Sequence, residues 1–288
     1  MAKVKVLTGS VSGVPAEVAE RFGIGLVPYY VTYAGKTWNE LEMDRVDLYR
    51  WMRESTGFPT TSQPTREDFL AAFERAAAES PALIYICLSS RYSKAYAVAT
   101  GVKEELRTRL PELAVDVIDS RTGASGHGLS ALEMARLAQT GLSREELLGR
   151  WEEVRARSRC FVILDTLKYL ARGGRIHHAQ AWLGSILRVK PVLTYSEEGE
   201  TIPVTRVRTA AQGLEFIGEE ARRHLDETRA SGVRFVVDDA DNPGWAEEVR
   251  ERLEREFSPE EILRWTMSPV VGAHVGPGSW GVAWYPVP

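Results

Sequence analysis

The chain has little cysteine, no long apolar run and no excess of basic charge. Its 288 residues include two cysteines, Cys87 and Cys160, each inside an apolar stretch and without the paired spacing of a zinc site. Free buried thiols are typical of a reducing compartment, so we expect a cytoplasmic protein, and the first residues show no secretory signal pattern. No apolar segment approaches the roughly 20 residues that a membrane span needs. A net charge of −4, with acids and bases mixed along the chain, argues against nucleic-acid binding.

Two motifs of common α/β enzymes are also missing. No Gly-x-Ser-x-Gly nucleophile elbow occurs, and no glycine-rich phosphate loop precedes a Lys-Ser or Lys-Thr pair. The composition is 44% hydrophobic and 26% charged, which is typical of a soluble globular protein. The length leaves room for two domains of ordinary size.

The first half of the chain alternates between strand and helix patterns. Strands are predicted at 4–7, 24–33, 82–88 and 115–118, and the second of them is interrupted by Pro28. Amphipathic helical segments lie between them. This alternation predicts a mostly parallel sheet covered on both faces, that is, a three-layer α/β domain over residues 1–157.

The pattern changes near residue 158. A strand at 160–164 and a short apolar helix at 180–187 precede a hairpin of 189–195 with 201–207. The end of the chain carries a glycine-rich stretch, 269–278, which we interpret as a loop before a final strand. Residues 158–288 are therefore predicted to form a smaller α+β domain.

Hydroxyl side chains follow the most apolar predicted strand, 82–88. Ser89, Ser90 and Ser93 lie between its carboxyl end and a helix, where free backbone N–H groups favour a small anion such as a carboxylate. Thr61 and Ser62 belong to a predicted polar loop, 60–63, that precedes another helix. A simpler interpretation, in which Ser62, Ser89 or Ser90 only caps its helix, stays open.

The second half contributes fixed or titratable charge. Arg175 lies in a glycine-flanked turn, Arg206 and Arg208 share one face of a predicted strand, and His274 lies among glycines. Ordinary ion-pair, solvated and structural roles are the alternatives. If these side chains and the hydroxyl groups meet at a crevice between the domains, their donors suit a carboxylate.

These segments occur together in the DegV family of bacterial fatty-acid-binding proteins, which the chain resembles over essentially its whole length. The matching segments are 60–64 (TTSQP), 88–90 with Ser93, 118–120 (IDS), 174–176 (GRI), 179–184 (AQAWLG), 190–193 (KPVL), 207–209 (VRT) and 272–276 (GAHVG).

The resemblance implies a lipid carrier with no catalytic residue, metal or cofactor of its own. One long-chain fatty acid would lie in an apolar tunnel, and a separate fatty acid kinase subunit would phosphorylate its carboxylate. Thr61 and Ser93 match the hydroxyl positions that bind the carboxylate, and Ser62 and Ser90 lie beside them. Supporting polar positions are Arg208 and His274, close to the carboxylate in the family, and Arg175, a candidate for partner contact or site support.

Candidates for the tunnel lining come from the second half, where an ordinary core would show the same residue types. They are Phe161, Ile163, Leu167, Leu170, Trp182, Leu183, Ile186 and Leu187.

The chain departs from the family pattern at two positions. The first strand ends Thr8-Gly9-Ser10, where the family typically has Thr-Asp-Ser. Ser93 is followed by Lys94, where the family usually has glycine. Gly9 removes a carboxylate, and Lys94 adds a cation, close to the predicted site.

Two other functions remain as alternatives. A serine esterase or thioesterase would use Ser90 or Ser93 with His274, and Asp119 or Asp165 would orient the imidazole. A nucleotide- or sugar-phosphate-binding protein would use the strand ends alone, without the phosphate loop.

Overall fold

Thirteen strands occur in the part of the chain that the computed structural model describes, which is residues 4–54, 57–183 and 189–288. Within these ranges the strands are β1 (Lys5–Gly9), β2 (Gly25–Val27), β3 (Tyr30–Tyr33), β4 (Lys36–Asn39), β5 (Thr60–Ser62), β6 (Ala82–Cys87), β7 (Ala114–Asp119), β8 (Arg159–Ile163), β9 (Lys190–Tyr195), β10 (Thr201–Val207), β11 (Gly232–Asp239), β12 (Glu261–Arg264) and β13 (Trp280–Val287).

Helices connect most of these strands. They are α1 (Ala16–Phe22), α2 (Arg45–Glu54), α3 (Arg66–Ala77), α4 (Ala95–Arg109), α5 (Ala124–Gln139), α6 (Arg144–Arg157), α7 (Lys168–Arg172), α8 (Ala210–Thr228), α9 (Pro243–Phe257) and α10 (Pro269–Val275). Two short 3-10 helices, Ser10–Ser12 and His177–Trp182, complete the described part. None of the helices described is long and apolar enough to cross a membrane.

A four-stranded parallel sheet forms the centre of the first half. Its strand order is β2-β1-β6-β7. Every residue of β6 is buried, as expected for a continuous apolar strand with helices on both faces. The predicted parallel α/β architecture is therefore confirmed.

A small antiparallel sheet, β4-β3-β5, lies beside the parallel sheet. The run at 24–33, predicted as one interrupted strand, divides at Pro28 into β2 and β3, which belong to different sheets. Residues 60–62, expected to be a loop, instead form β5, where Thr61 pairs with Val31. Three polar residues show no apolar alternation, so nothing local marked this strand.

The third sheet is built from strands that follow residue 158. Its order is β10-β9-β8-β13-β11-β12, and neighbours are antiparallel except for β11 and β12. The predicted hairpin is present, because β9 and β10 pair across the turn at 196–200. The antiparallel sheet with its helices agrees with the α+β prediction for this half.

One hydrophobic core continues across residue 158. It includes β1 and β6 residues such as Leu7 and Ile84 together with Val162, Leu164 and Ala283 of the second half. A second core lies on the other face of the third sheet, beneath α8 and α9. The division into two domains at 157/158 stays a prediction.

Two predictions in the second half are corrected by the structure. The glycine-rich stretch at 269–278 begins with a helix, α10, because Ser268 accepts a hydrogen bond from Val271 N and Pro269 occupies the first turn. The helix predicted at 180–187 is replaced by the 3-10 helix His177–Trp182. The rest of that prediction, at 184–187, lies outside the described residues.

Candidate ligand-binding site

A cavity lies between the strand ends of the first half, α10 and the inner face of the third sheet. Its empty volume is about 810 Å³, including the space at its opening. It is lined by Val11, Tyr29, Thr61, Ser62, Gln63, Leu88, Tyr92, Ser93, Gly123, Ala124, Val162, Leu164, Leu170, Arg175, Leu193, Thr194, Tyr195, Thr201, Val270, Val271, His274 and Val275. The walls are thus mostly apolar or aromatic, with a few polar side chains, as in many small-molecule sites.

The polar part of the cavity contains a hydroxyl–imidazole pair. Thr61 Oγ1 on β5 lies 2.8 Å from His274 Nε2 on α10, although the two residues are 213 positions apart. The other ring nitrogen, Nδ1, has no hydrogen-bond partner in the described part of the chain. Burial, with a smaller effect of the Arg175 charge, lowers the pKa of His274 to about 4, so the imidazole is neutral at pH 7.

The tautomer of His274 follows from this geometry. A buried N–H without an acceptor is rarer than a buried lone pair without a donor. The proton therefore belongs on Nε2, which donates to Thr61 Oγ1. This leaves the Thr61 O–H free to donate to a ligand.

The space around His274 depends on Gly173. A Cβ on Gly173 would lie 2.2 Å from His274 Nδ1 and 2.8 Å from Cε1. The φ of −73° at Gly173 is open to any residue, so only the close approach of the imidazole requires glycine here. The glycine-flanked turn identified in the sequence thus makes room for the site histidine.

Ser93 and Ser62 also line the cavity, whereas Ser90 does not. Ser93 Oγ accepts a hydrogen bond from Ala95 N at the start of α4, at 3.1 Å. Ser90 is exposed, and its backbone N–H points to Asp119 Oδ1. Ser90 is therefore corrected as a site candidate, since it is exposed and does not line the cavity. The cap of α3 is Thr65, which leaves Ser62 without that role.

Arg175 lines the cavity and joins two of its loops. Its Nε and Nη2 atoms each donate to Tyr92 O at 3.2 Å, and Nη1 donates to Gly173 O at 2.6 Å. The guanidinium therefore holds the Ser93 loop against the glycine turn. This contact fits the predicted role of site support.

Arg208 is not part of the cavity lining. It follows the edge strand β10, its side chain is exposed, and its backbone N–H donates to Gln212 Oε1. Val207 points into the core, so residues 206 and 208 point away from it, and Arg206 packs over the Trp182 ring. The resemblance placed Arg208 near the carboxylate, and the structure corrects this placement.

Most of the predicted tunnel residues lie elsewhere, for a simple geometric reason. Phe161 and Ile163 belong to the second core, on the far face of the third sheet, while Val162 and Leu164 line the cavity. Successive strand residues face opposite sides, so the prediction chose the wrong alternate positions of β8.

The remaining tunnel candidates fall into three groups. Leu170 on α7 lines the cavity. Leu167 belongs to the first core and Trp182 packs against it, and neither lines the cavity. Leu183 is 50% exposed. Ile186 and Leu187 lie outside the described residues.

Several lining residues were missed by the sequence analysis. The tyrosines Tyr29, Tyr92 and Tyr195 come from three different loops or strand ends, and no local signal marks them. The α10 residues Val271 and Val275 could have been found, because with His274 they recur at helical spacing.

The two departures from the family pattern have different surroundings. A Cβ on Gly9 would lie 2.6 Å from Cε2 of Tyr29, so glycine leaves room for this ring. Lys94 is exposed at the N-terminus of α4 and makes no side-chain cap there.

The geometry differs from that of a catalytic triad. His274 contacts Thr61 rather than Ser90 or Ser93, and no carboxylate in the described ranges hydrogen-bonds to its Nδ1. Asp119 accepts backbone N–H groups of Ser90 and Arg121, and Asp165 pairs with Lys190. Neither carboxylate orients the imidazole.

Two further chemistries find no support in the described ranges. The letters of residues 276–281 match Gly-x-Gly-x-x-Gly, but this segment leads from α10 into β13, whereas a dinucleotide site needs a strand followed by a helix. No group of three or more metal-binding side chains occurs among the described residues.

Both cysteines are buried and free, and burial raises the pKa of the Cys160 thiol to about 12.

Comparison with known proteins decides the family. A protein-family model described as "Uncharacterised protein, DegV family" matches residues 3–287 of the chain. The chain belongs to the DegV family. Among its DegV relatives, Protein DegV of Bacillus subtilis is 30% identical over 285 residues, which cover 98% of each chain. A DegV domain-containing protein of Clostridium perfringens is 30% identical over 284 residues, again 98% of each.

Solved DegV structures share the fold. A DegV family protein of Thermus thermophilus, described by its fatty acid binding, superposes with a TM-score of 0.91 at 28% identity, over 99% of this chain and 100% of that one. DegV of Bacillus subtilis, described as a fatty acid binding protein, gives 0.87 at 28% identity over 99% of both chains.

Proposed function

We propose that this DegV protein binds one long-chain fatty acid in the cavity, with the carboxylate at Thr61 and Ser93 and the acyl chain between the apolar walls. The observation that carries this proposal is the arrangement of the cavity, whose mostly apolar walls also contain the Thr61–His274 pair and Ser93. The description of two DegV neighbours as fatty-acid-binding proteins supports it.

The tail supplies most of the binding free energy. Burying a chain of about sixteen carbons at roughly 0.8 kcal/mol per CH₂ contributes on the order of 12 kcal/mol before costs. Lost motion and ordering remove several kcal/mol of this. The remainder is enough for sub-micromolar affinity, so the polar group mainly sets the register and selects a carboxylate.

The head group is recognised by oriented hydroxyls. His274 donates from Nε2 to Thr61 Oγ1, which leaves the Thr61 proton for the carboxylate. Ser93 Oγ already accepts from Ala95 N, so its proton is also available. Arg175 adds a positive charge in the wall while its N–H groups hold the surrounding loops. Hydrogen bonds to a charged acceptor are stronger than neutral ones.

We further propose that the bound acid is a substrate for a separate kinase subunit, with no catalysis by this chain. The family resemblance supports this step. The test is to incubate the loaded protein with ATP, with and without a fatty acid kinase subunit, and to trap acyl phosphate with hydroxylamine. Acyl hydroxamate is expected only when the kinase subunit is present, and its formation by the loaded protein alone would contradict the proposal.

The binding proposal is tested on the purified protein and two variants. Mass spectrometry of a denaturing extract should yield a long-chain fatty acid at about one equivalent. The Thr61→Ala/Ser93→Ala double variant should bind palmitic acid at least about 10-fold more weakly, because the carboxylate loses two donors. Ser90→Ala is the matched control, since Ser90 is exposed outside the cavity.

A negative result would be equally clear. Extracts without fatty acid, together with no binding of added palmitic acid, would contradict the proposal. Hydrolysis of a chromogenic ester that is lost in Ser93→Ala would favour the esterase instead.

A further inference from the structure

Tyr29 is a buried tyrosine in the cavity wall whose hydroxyl lacks a hydrogen bond. The residue is 2% exposed, and its OH has no hydrogen-bond partner among the residues that the structure describes. A buried O–H that donates to nothing lowers stability, so such a group in a binding cavity suggests a role in the liganded protein.

The position of the Tyr29 ring is fixed from two sides. Its backbone N–H donates to Ser10 Oγ at 2.8 Å, and its carbonyl accepts from Glu40 N at 3.0 Å. The ring itself lies over Gly9, where a Cβ would approach Cε2 to 2.6 Å. An aspartate, which the family pattern has at position 9, would collide with the ring. Gly9 and Tyr29 therefore form a matched pair in this chain.

The phenol and Ser93 line the same cavity. Burial raises the pKa of Tyr29 well above its ordinary value, and the hydroxyls of Ser93 and Tyr85 partly offset this rise. The phenol is thus protonated at neutral pH and is available as a donor in the cavity that Ser93 also lines. Ser93 Oγ accepts one hydrogen bond, from Ala95 N, and has a second lone pair to offer.

We propose that Tyr29 is a positioning residue of the head-group site: its hydroxyl donates to Ser93 Oγ and thereby directs the Ser93 O–H towards the carboxylate of the ligand. This inference rests on the proposed fatty-acid function. Ser93 Oγ then accepts from both Ala95 N and the Tyr29 hydroxyl, so its own O–H is left to donate to the carboxylate. Hydrogen bonds in such a chain strengthen one another, so the carboxylate also tightens the tyrosine–serine bond.

Gly9 contributes to the same arrangement, since it makes room for the Tyr29 ring. The chain thereby has a neutral donor, Tyr29, in the space where the family pattern has a carboxylate. This exchange removes a like charge that would oppose the binding of a fatty acid anion.

A double-mutant cycle on delipidated protein tests the inference, with palmitic acid as the probe in calorimetric titrations. Tyr29→Phe removes only the oxygen and should weaken binding about 3- to 10-fold, the effect of one hydrogen bond. In a Ser93→Ala background the same change should have no further effect, because Tyr29 acts through Ser93. The melting temperature without ligand should stay equal or rise, since an unpaired O–H is removed.

Tyr49→Phe is the matched control. Tyr49 is 1% exposed, its OH also has no partner among the described residues, and it is not a lining residue. Its affinity should equal that of the wild type. Unchanged affinity in Tyr29→Phe, or an equal loss with and without Ser93, would overturn the inference while leaving fatty-acid binding intact. Failure of the wild type to bind palmitic acid would instead overturn the proposed function.

Discussion

At the scale of single residues, the site depends on close approaches that only particular side chains allow. His274 reaches Thr61 because Gly173 presents no Cβ to its other ring nitrogen. The Tyr29 ring occupies the space that Gly9 leaves. Both glycines have ordinary negative φ values, so their role is to leave space and not to permit an unusual backbone.

Gly173→Ala should weaken fatty-acid binding without unfolding the protein. The added methyl group must displace the imidazole, since it would lie 2.2 Å from Nδ1, and Thr61 then loses its partner. We expect about 10-fold weaker binding of palmitic acid by titration calorimetry. Gly101→Ala, at a helical glycine with open space around it, is the control and should retain full affinity. Equal affinity of the two variants would count against a role for the His274 position.

His274 also makes stability depend on pH. Its pKa is about 4 in the folded chain and ordinarily 6.5, so the unfolded chain binds more protons between these values. Stability is therefore lost as the pH falls from 6.5 towards 4. We expect His274→Gln to reduce the difference in unfolding free energy between pH 7 and pH 5 by about 2 kcal/mol, measured in urea. A difference as large in His274→Gln as in the wild type would contradict this origin of the pH dependence.

At the scale of elements, a buried carboxylate holds the short helix that carries His274. Glu40 accepts hydrogen bonds from the Ser10 hydroxyl and, at 2.9 Å, from Val270 N in the first turn of α10. The ends of β1 and β4 are thus joined to α10. A negative charge at this helix end also suits the helix dipole.

Glu40→Ala should lower stability by about 2–4 kcal/mol, because it leaves the Ser10 hydroxyl and the Val270 N–H unpaired in the interior. Glu40→Gln keeps an acceptor and should cost less. Both are measured by denaturant unfolding against Glu42→Ala, at an exposed position. Equal stability of the Glu40 and Glu42 variants would show that Glu40 does not hold α10.

The elements also show how far the sequence leads. The apolar strand β6, the interruption at Pro28 and the β9–β10 hairpin were predictable, because periodicity and turn residues mark them. β5 was not, since three polar residues form a strand only through their pairing with β3. The face of β8 was missed because Phe161 and Val162 are equally apolar, and only the third dimension tells which core each enters.

For the site, too, only some of the residues could be predicted from the sequence. Thr61, Ser93, Arg175 and His274 were identified from the family motifs, and the fold brings all of them to one cavity. Tyr29 and Tyr195 could not be identified, because their place in the wall depends on long-range packing. Motifs therefore identified the polar group, whereas the apolar wall required the structure.

At the scale of the whole molecule, ligand binding and folding are linked. A fatty acid that binds only the folded chain raises its stability by about 3–4 kcal/mol at 100 to 1,000 times the dissociation constant. Delipidated protein should therefore melt several degrees lower than protein with excess palmitic acid, as measured by calorimetry. The Thr61→Ala/Ser93→Ala variant should show a smaller shift at the same ligand concentration. Identical shifts would mean that these hydroxyls do not contribute to affinity.

The central helix α5 restricts how the cavity can be filled. It is buried at every position from Ala124 to Ala135 and contacts both the parallel sheet and the third sheet. Its Gly126 and Gly128 approach Cys160 and Trp265 so closely that a methyl group would not fit. A hinge motion that separated the two halves of the chain would have to pull α5 out of its packing. We therefore expect loading and release to need only a local displacement of the cavity wall, while the parallel sheet and the third sheet stay together.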